Sequence, residues 1–333
     1  MSQSARGVGA GNTGSEPEAG ALALRVAHAI AAAVRPLLGT AEARTRVSVA
    51  PGGDATLAID EVAEEVVERE LAAAGDVGFY SEDRGLVVHG EPRWFFVIDP
   101  VDGTRPAAAG LESCAVSIGV TPPRDDATLG DVGFGVVHEL KTGDRYWARR
   151  GGGARGERAD GSPIALYPSA NTDLRALFWT AGLRGRPSLP MAVALETLTD
   201  ACSMGGGTFE LGSAAFALTR VANGQLDAYV DVGRRALDTF PVLEPAFLEV
   251  GEGAVCTNFP YDIAAGALIL DELGAVVTRA DGSSLAGFPA IGSGRDFGLD
   301  VLATGTPALH AAILAVLEHG MDALGAWLSR PST

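Results

Sequence analysis

The sequence predicts an α/β (α+β) protein built as two packed halves. The chain has 333 residues, of which 47% are hydrophobic, so it is long enough to bury a large core. In the first half, apolar runs of strand length are bounded by turn residues and flanked by helices, which indicates helices packed on an antiparallel sheet. In the second half, apolar strands alternate with helices. We therefore expect an N-terminal α+β domain over residues 21–166 and a C-terminal α/β domain over residues 167–333.

The chain is strongly acidic, with a formal net charge of −17 at pH 7. This charge argues against nucleic acids and anionic membranes as partners, and it means that a phosphorylated substrate must be attracted by bound cations and helix amides. The cysteines Cys114, Cys202 and Cys256 have no paired or metal-binding spacing, so we expect reduced thiols and no zinc site. The five histidines also lack metal-ligand spacing and are interpreted as structural.

The first two segments predict a disordered tail and a packed helix. Residues 1–20 are rich in Gly, Ser, Ala and Glu without periodicity, which is typical of disorder. Residues 21–38 are Ala-rich and apolar, but charged side chains interrupt them. They are therefore predicted to form an amphipathic helix of a soluble protein rather than a membrane span or a secretion signal.

A carboxylate marks the start of the second predicted helix. Residues 54–60 alternate as a short strand, and apolar residues then recur with helical spacing over residues 61–74. Asp60 lies at this junction. On sequence alone its simplest interpretation is a helix N-cap.

The segment richest in candidate functional residues is WFFVIDPVDGT, residues 94–104. Its first five residues form an apolar run that predicts a buried central strand. Asp99 and Asp102 follow where that strand must end, because the intervening proline cannot extend a ladder and the second acid precedes a turn glycine. Both carboxylates are thereby expected in one crevice, although an isolated D-P-x-D-G would indicate only a turn. Gly103 permits close backbone approach to a ligand, and Thr104 is predicted to open a helix whose amides face an anion.

Strands and turns continue to about residue 166. The Gly-rich stretch 151–156 predicts a hairpin turn rather than a phosphate-binding loop, because no G-K-[ST] follows it and no helix opens after it. A looser stretch at residues 167–171 is the predicted domain boundary. The other predicted elements are strands over residues 132–138, 145–148, 226–232 and 275–278, and helices over residues 212–223 and 261–273.

The sequence resembles the inositol monophosphatase family of metal-dependent, lithium-sensitive phosphatases. Residues 99–104 match the family signature D-P-[IL]-D-G-T with one apolar exchange at Val101, and residues 114–119, CAVSIG, match the strand that follows it. Residues 79–83, FYSED, stand where the family has an apolar pair and G-E-E. Later matches are GSAA (212–215), AYVDVG (228–233) and YDIAAG (261–266). The resemblance covers about residues 21–320 and implies a layered α-β-α-β-α sandwich of the inositol monophosphatase and fructose-1,6-bisphosphatase type.

The resemblance also implies a role for each matching residue and places the site between the two halves. The implied metal ligands, an all-oxygen set that suits hard cations, are Glu82, Asp99, the Val101 carbonyl, Asp102 and Asp262. The implied catalytic residues are Asp60, Glu82 and Thr104, with Thr104 and Asp60 orienting the attacking water. The implied substrate contacts are Gly103, Thr104, Gly212, Ser213, Ala214 and Asp231. The implied cofactor is Mg²⁺, as two or three ions per site, with Mn²⁺ as a substitute and Li⁺ as an inhibitor.

Spacing alone leaves Asp238 as an alternative to Asp262, because in shorter family members the third ligand follows the AYVDVG strand within a few residues. Two prolines close after Asp238 forbid the long helix whose start should carry this ligand. Asp262 is instead followed by a good apolar helix. We therefore predict that Asp262 is the ligand and that residues 239–261 are an insertion, a candidate cover for the pocket.

These observations predict Mg²⁺-dependent hydrolysis of a small phosphate monoester, with an inositol (cyclitol) or sugar monophosphate as first choice. Histidinol phosphate, fructose 1,6-bisphosphate and 3'-phosphoadenosine nucleotides are alternatives, because the family includes phosphatases for each of them. Arg105 and Pro106 replace the usual T-N-F, and an arginine there followed by Gly110 is closer to the histidinol-phosphate type, whereas the strand over residues 116–119 is closer to the inositol type. A hypothesis of another class is a catalytically silent relative with an assembly or regulatory role, which the complete set of acids disfavours. We expect a small phosphorylated metabolite as partner, no nucleic acid, no membrane, a homodimer and a cytoplasmic location.

Overall fold

The computed structural model describes residues 16–53 and 55–330. Its helices are α1 (Glu16–Val34), α2 (Ala58–Ala74), α3 (Thr104–Ala109), α4 (Ser188–Cys202), α5 (Ala214–Ala222), α6 (Gly233–Thr239), α7 (Glu244–Val250), α8 (Pro260–Asp271) and α9 (Pro307–Leu328). Its strands are β1 (Arg46–Val49), β2 (Ala55–Leu57), β3 (Val77–Ser81), β4 (Gly85–His89), β5 (Phe95–Asp102), β6 (Ala115–Thr121), β7 (Phe134–Glu139), β8 (Arg145–Arg149), β9 (Gly153–Glu157), β10 (Pro163–Ile164), β11 (Phe178–Ala181), β12 (Gly207–Phe209), β13 (Ala228–Asp231), β14 (Val276–Thr278) and β15 (Val301–Thr304). The predictions for residues 1–15 and for Asp54 lie outside the described residues.

Two sheets form the framework. The eight-stranded sheet has the order β10-β9-β8-β7-β6-β5-β3-β4, and all of its pairs are antiparallel except β3 with β5. The five-stranded sheet has the order β12-β11-β13-β15-β14, with β11 parallel to both of its neighbours. The predicted antiparallel sheet of the first half is therefore confirmed apart from the parallel β3–β5 pair.

Helices and sheets alternate in five layers. Helices α1 and α2 cover one face of the eight-stranded sheet, where α1 contacts β6 and β7 and α2 contacts β5. Helices α5 and α8 fill the space between the two sheets, and α4 and α9 cover the outer face of the five-stranded sheet, where they enclose Trp179 and Leu302. The order α-β-α-β-α confirms the predicted layered sandwich. Each layer buries apolar side chains against the next, which is the main source of stability.

Helix α8 lies unusually close to the eight-stranded sheet. A Cβ placed on Gly119 of β6 would come within 2.9 Å of the Ala264 side chain, and one on Gly135 of β7 within 2.9 Å of the Ala265 backbone. Real side chains do not approach so closely, so the glycines and alanines are needed for this packing. Because α8 also carries Asp262, the close contact fixes the height of that carboxylate above the sheet.

Several predicted boundaries are corrected by the structure. The tail predicted to reach residue 20 is wrong for residues 16–20, which belong to α1, where Ala19 is buried against the core. Helix α2 begins at Ala58 rather than at residue 61. Asp60 is its third residue, and the Asp60 side chain caps the helix by accepting a hydrogen bond from the Leu57 amide. Strand β5 extends past its predicted end through Asp102.

The predicted insertion, residues 239–261, is a folded part of the sandwich. It contains a short 3₁₀ turn, helix α7 and the first residues of α8, and Phe247 of α7 is fully buried in the outer core. Helix α6 ends at Thr239, two residues before a proline, as the sequence predicts.

Two helices, α1 and α9, are long and apolar enough to cross a bilayer by length and composition alone. In the structure α1 packs on α2 and the eight-stranded sheet, and α9 packs on α4 and β15. Core helices of globular proteins pass the same test, so this property carries no membrane assignment. The division of the chain into domains at residue 166 stays a prediction.

Candidate active site

The parallel pairing of β3 and β5 brings the first two acids together. Ser81, the last residue of β3, lies opposite Ile98 in β5, one residue before Asp99. Because the two strands are parallel neighbours, the main chain leaves both of them at the same edge of the sheet. Glu82 and Asp99 therefore emerge side by side. Both residues line a cleft between the two sheets. The sequence could not reveal this neighbourhood, because β4 intervenes between the two strands along the chain.

Strand β5 changes register where its two acids lie. Asp99 is opposite Ser117, but the next paired residue is Asp102, opposite Ala115, so the intervening proline and valine form an irregularity. The Val101 amide donates a hydrogen bond to Asp99 Oδ1 over 2.9 Å and stabilises this bend. Asp99 and Asp102 are buried and reach the same cleft, as the turn chemistry predicts.

Asp102 is held by the start of helix α5. The Ser213 hydroxyl donates to Asp102 Oδ2 over 2.6 Å, and the Ala215 amide donates to the same oxygen. Ser213 is also the N-cap of α5 and accepts from the Phe216 amide. Burial raises the pKa of Asp102 to about 6, and these hydrogen bonds oppose the rise. The serine predicted to contact substrate therefore also positions a carboxylate.

Asp262 enters the cleft from the first turn of helix α8. Its Oδ2 accepts a hydrogen bond from the Phe259 amide over 2.6 Å, so the Asp262 side chain caps the first turn of helix α8. The neighbouring Tyr261 carbonyl accepts from the Ser117 hydroxyl of β6 over 2.8 Å. This bond ties the start of α8 directly to the sheet that carries Asp99.

The three aspartates form a compact acid cluster. Carboxylate oxygens of Asp99, Asp102 and Asp262 all lie within 4.8 Å of one another, and all three residues are buried. Burial, followed by the charges of Glu82 and Asp102, raises the pKa of Asp99. Burial and Asp102 raise the pKa of Asp262 to about 7. Crowded buried carboxylates are unfavourable unless cations compensate them, and an all-oxygen donor set fits hard divalent cations.

Asp238 lies outside this cluster. It is near the end of α6, its side chain is 45% exposed, and it pairs with Arg234 over 2.9 Å. The geometry therefore places Asp262, and not Asp238, among the candidate ligands.

Thr104 and Asp60 form the hydroxyl–carboxylate pair that the family resemblance implies. Thr104 Oγ1 lies 3.1 Å from Asp60 Oδ1 and 3.1 Å from the Val101 carbonyl oxygen. The other oxygen of Asp60 accepts from the Leu57 amide over 2.7 Å, which fixes the carboxylate. Burial raises the pKa of Asp60 to about 7, partly offset by the Leu57 hydrogen bond. The pair lies immediately beside the acid cluster, because Thr104 follows Asp102 by two residues.

Gly103 occupies a position that only glycine fits. Its φ is 86°, in the left-handed region, and it is the N-cap of the short helix α3. A Cβ there would come within 2.5 Å of the Ser113 carbonyl oxygen and 2.9 Å of the Ser213 side chain. The glycine thus lets the main chain pass between the two halves at the floor of the cleft.

Asp231 is buried and paired with an arginine next to the cleft. Gly212, Ser213 and Ala214 line the cleft as predicted, but Asp231 is fully buried behind its wall. Its carboxylate forms an ion pair with Arg186 and accepts from Asn258 Nδ2 over 2.8 Å. In this structure Asp231 holds Arg186, and its contact with a substrate hydroxyl stays a prediction.

Sequence reasoning missed further residues of the site. Arg184, Arg186, Glu210 and Asn258 line the cleft. The two arginines follow the apolar strand β11, and polar residues after a strand end are the signal that could have identified them. Glu64 was also missed.

Glu64 supports the turn that carries Glu82. It is fully buried on α2, accepts from the Ser81 hydroxyl over 2.8 Å and accepts from the Asp83 amide over 3.0 Å. A glutamate on the buried face of an amphipathic helix was the available signal.

Comparison with known proteins gives a consistent result. The sequence profile of the inositol monophosphatase family matches residues 19–321. A fructose-1,6-bisphosphatase/inositol-1-monophosphatase of Methanothermobacter thermautotrophicus is 29% identical over 306 residues, which cover 89% of this chain and 95% of that protein. An inositol-1-monophosphatase of Mesorhizobium japonicum is 28% identical, over 71% of this chain and 76% of that protein.

Solved structures agree on the fold. The structure of an inositol monophosphatase from Thermotoga maritima superposes with a TM-score of 0.65 at 20% identity, covering 92% of this chain and 98% of that one. At this identity the similarity concerns the fold alone. The family profile, in contrast, spans nearly the whole sequence, including every residue of the acid cluster, and so the chain belongs to the inositol monophosphatase family, whose members are phosphatases.

Proposed function

We propose that the chain hydrolyses a small phosphate monoester with the help of divalent cations. The observation that carries this proposal is the convergence of Asp99, Asp102 and Asp262 within 4.8 Å beside the Thr104–Asp60 pair. The adjoining cleft is lined by residues of both halves, among them Glu82, Asp99 and Asp102 from the first half and Ser213 and Asp262 from the second. An acid cluster, an oriented hydroxyl and an adjoining cleft are the parts that metal-assisted hydrolysis requires.

The donor set favours Mg²⁺, and the family resemblance implies Mn²⁺ as a substitute and Li⁺ as an inhibitor. Glu82 and Asp99 would hold one ion, and Asp99, Asp102 and Asp262 another, with the Val101 carbonyl as a further oxygen donor. When bound, such ions supply positive charge for the phosphoryl and leaving-group oxygens and lower the pKa of a bound water. No nitrogen or sulfur ligand lies in this set, which disfavours zinc.

The protein's own groups orient the reactants. Asp60 accepts a hydrogen bond from the Thr104 hydroxyl, which leaves a Thr104 lone pair free to accept a hydrogen bond from the water that attacks phosphorus. The Gly103 and Thr104 amides, at the open start of α3, can donate to phosphoryl oxygens as charge develops. Gly212, Ser213 and Ala214 form the wall against which the organic part of the substrate rests.

We expect Thr104→Ala to lower kcat by about 10²-fold, since it removes the orienting hydroxyl but no carboxylate. The Mg²⁺ concentration for half-maximal activity should change little, and Thr104→Ser should retain most of the activity. The measurement is steady-state phosphate release as a function of Mg²⁺. Thr142→Ala is a matched control, because the Thr142 hydroxyl also donates to a buried carboxylate, that of Glu139, at 2.6 Å and outside the cleft. An unchanged kcat for Thr104→Ala would contradict the role given to this pair.

The first-choice substrates are an inositol (cyclitol) or sugar monophosphate. This choice is supported by the two relatives, a fructose-1,6-bisphosphatase/inositol-1-monophosphatase and an inositol-1-monophosphatase. A sugar bisphosphate such as fructose 1,6-bisphosphate is a second candidate, and a specific observation favours it. Arg184 and Arg186 line the cleft, while Asp231, the acid expected for hydroxyl recognition, is sealed behind it. Cations at this wall suit a second phosphate better than neutral hydroxyls do.

A panel of phosphate esters tests both candidates. It contains inositol 1-phosphate, fructose 1-phosphate, fructose 1,6-bisphosphate, histidinol phosphate and a 3'-phosphoadenosine nucleotide, each with Mg²⁺ and with EDTA. We expect phosphate release with Mg²⁺ and none with EDTA. If the arginine wall binds a second phosphate, kcat/KM for the bisphosphate should exceed that for fructose 1-phosphate by about tenfold or more, in line with charge-assisted hydrogen bonds. No release from any ester with Mg²⁺ would instead support the catalytically silent relative.

We further propose that the chain acts in the cytoplasm as a homodimer on a small phosphorylated metabolite, without nucleic-acid or membrane partners. The acidic charge of −17 supports the absence of polyanionic partners. The dimer rests on the family resemblance, and light scattering on the purified chain, whose monomer mass is 34.0 kDa, measures it directly.

A further inference from the structure

The Tyr261 hydroxyl is a buried polar group that lacks a partner. The residue is 1% exposed and lines the cleft, yet among the described residues its hydroxyl oxygen forms no hydrogen bond. Leaving such a group unsatisfied costs folding free energy, and native structures rarely do so without a missing water, ion or ligand.

The Tyr261 ring is fixed from several sides. It stacks on Tyr80 at an interplanar angle of 14° and packs against Phe259 with ring centroids 5.4 Å apart. Its main chain is anchored to β6 through the Ser117 hydroxyl. The turn between β1 and β2 lies above the hydroxyl, so close that a Cβ on Gly52 would be 3.4 Å from it. The hydroxyl therefore cannot rotate away to find solvent.

Acids line the same cleft as Tyr261, among them Glu82, Asp99 and Asp262. Burial raises the pKa of Tyr261, and the charge of Glu82 contributes most among its neighbours, followed by Asp262 and Asp99. The phenol is protonated at neutral pH in any case, so it is a hydrogen-bond donor. A fixed donor in a cleft lined by carboxylates requires an oxygen acceptor.

We propose that Tyr261 is a positioning residue whose hydroxyl donates a hydrogen bond to a water completing the coordination of a divalent cation held by Glu82 and Asp99. The identity of the cation rests on the proposed function. Groups that hold a metal's outer oxygens commonly change its affinity tenfold or more, so the hydroxyl should tighten cation binding. It also accounts for an unsatisfied group that packing alone leaves unexplained.

Tyr261→Phe removes only the hydroxyl and tests the proposal. We expect the Kd for Mg²⁺, measured by titration calorimetry without substrate, to rise about tenfold. The melting temperature of the metal-free variant should equal or exceed that of the unaltered chain, because a buried unsatisfied group is gone. The rise in melting temperature on adding Mg²⁺ should shrink.

Tyr80→Phe is the matched control. Its hydroxyl donates to Ser293 Oγ over 2.5 Å, outside the cleft, so its loss should lower the melting temperature in both states and leave the Mg²⁺ affinity unchanged. The proposal is overturned if Tyr261→Phe binds Mg²⁺ as tightly as the unaltered chain, or if it lowers the metal-free melting temperature as Tyr80→Phe does. These measurements need no substrate. A chain that hydrolyses nothing would refute the proposed function and still leave the role of Tyr261 to be decided by cation binding.

Discussion

Asp99→Asn is expected to reduce phosphate release by about 10³-fold or more at saturating Mg²⁺. Asp99 belongs to both proposed cation positions, because its oxygens lie within 4.8 Å of those of Asp102 and Asp262 and it lines the cleft together with Glu82. An amide oxygen carries no charge, so both proposed cation positions would be weakened at once. A loss of several kcal/mol of charge stabilisation corresponds to a rate change of this size.

The fold should survive this replacement. The Val101 amide donates to Asp99 Oδ1, and an asparagine Oδ1 can accept the same bond. Removing one of several crowded buried carboxylates relieves repulsion, so the melting temperature of the metal-free variant should not fall. Circular dichroism melting with and without Mg²⁺ checks this, and we expect the Mg²⁺-induced stabilisation to be largely lost. Near-normal turnover with normal cation binding would show that Asp99 does not bridge the ions.

The positions of the aspartates could be inferred from the sequence, because each inference uses only the residues next to the aspartate. The apolar run before Asp99 could only be a buried strand, and the proline and glycine that follow force a turn beside both acids. Helix register then selected Asp262 over Asp238, since only the former is followed by an uninterrupted helix. Each of these inferences depends on a few consecutive residues.

The parts that sequence reasoning missed depend on contacts between distant segments. Arg186 and Asp231 are 45 residues apart and meet only when the loop after β11 folds over β13. The family resemblance implies a substrate contact for Asp231, which stays a prediction, but it does not reveal the ion pair with Arg186. The support of the Glu82 turn by Glu64 likewise requires α2 to pack on β3. No periodicity in the sequence encodes these pairings.

The boundary errors have a related cause. Residues 16–20 lack the apolar periodicity that identifies a helix, yet small residues such as Ala19 pack well enough to extend α1. Tertiary packing overrides local propensity in such cases. The start of α2 was also placed too late, because the Asp60 side chain caps the helix from its third residue by accepting a hydrogen bond from the Leu57 amide.

Asp262→Asn and Asp238→Asn form a matched pair with opposite expected results. For Asp262→Asn we expect kcat to fall by about 10²-fold or more and the Mg²⁺ requirement to rise by about tenfold or more, because a buried carboxylate of the cluster becomes neutral. The helix start should persist, since an asparagine oxygen can still accept from the Phe259 amide. The measurement is phosphate release over a range of Mg²⁺ concentrations, with cation affinity measured separately by calorimetry.

For Asp238→Asn the cost in kcat should stay below tenfold, under about 1.4 kcal/mol. Its side chain is 45% exposed and pairs with Arg234 and, at 3.7 Å, with Arg279, so its loss removes only surface ion pairs. Both variants remove one negative charge from the second half of the chain, so a difference between them cannot come from net charge. A larger loss at Asp238 than at Asp262 would mean that the acid cluster seen at the start of α8 is not the working cation site, and that α6 must rearrange to bring Asp238 into the cleft.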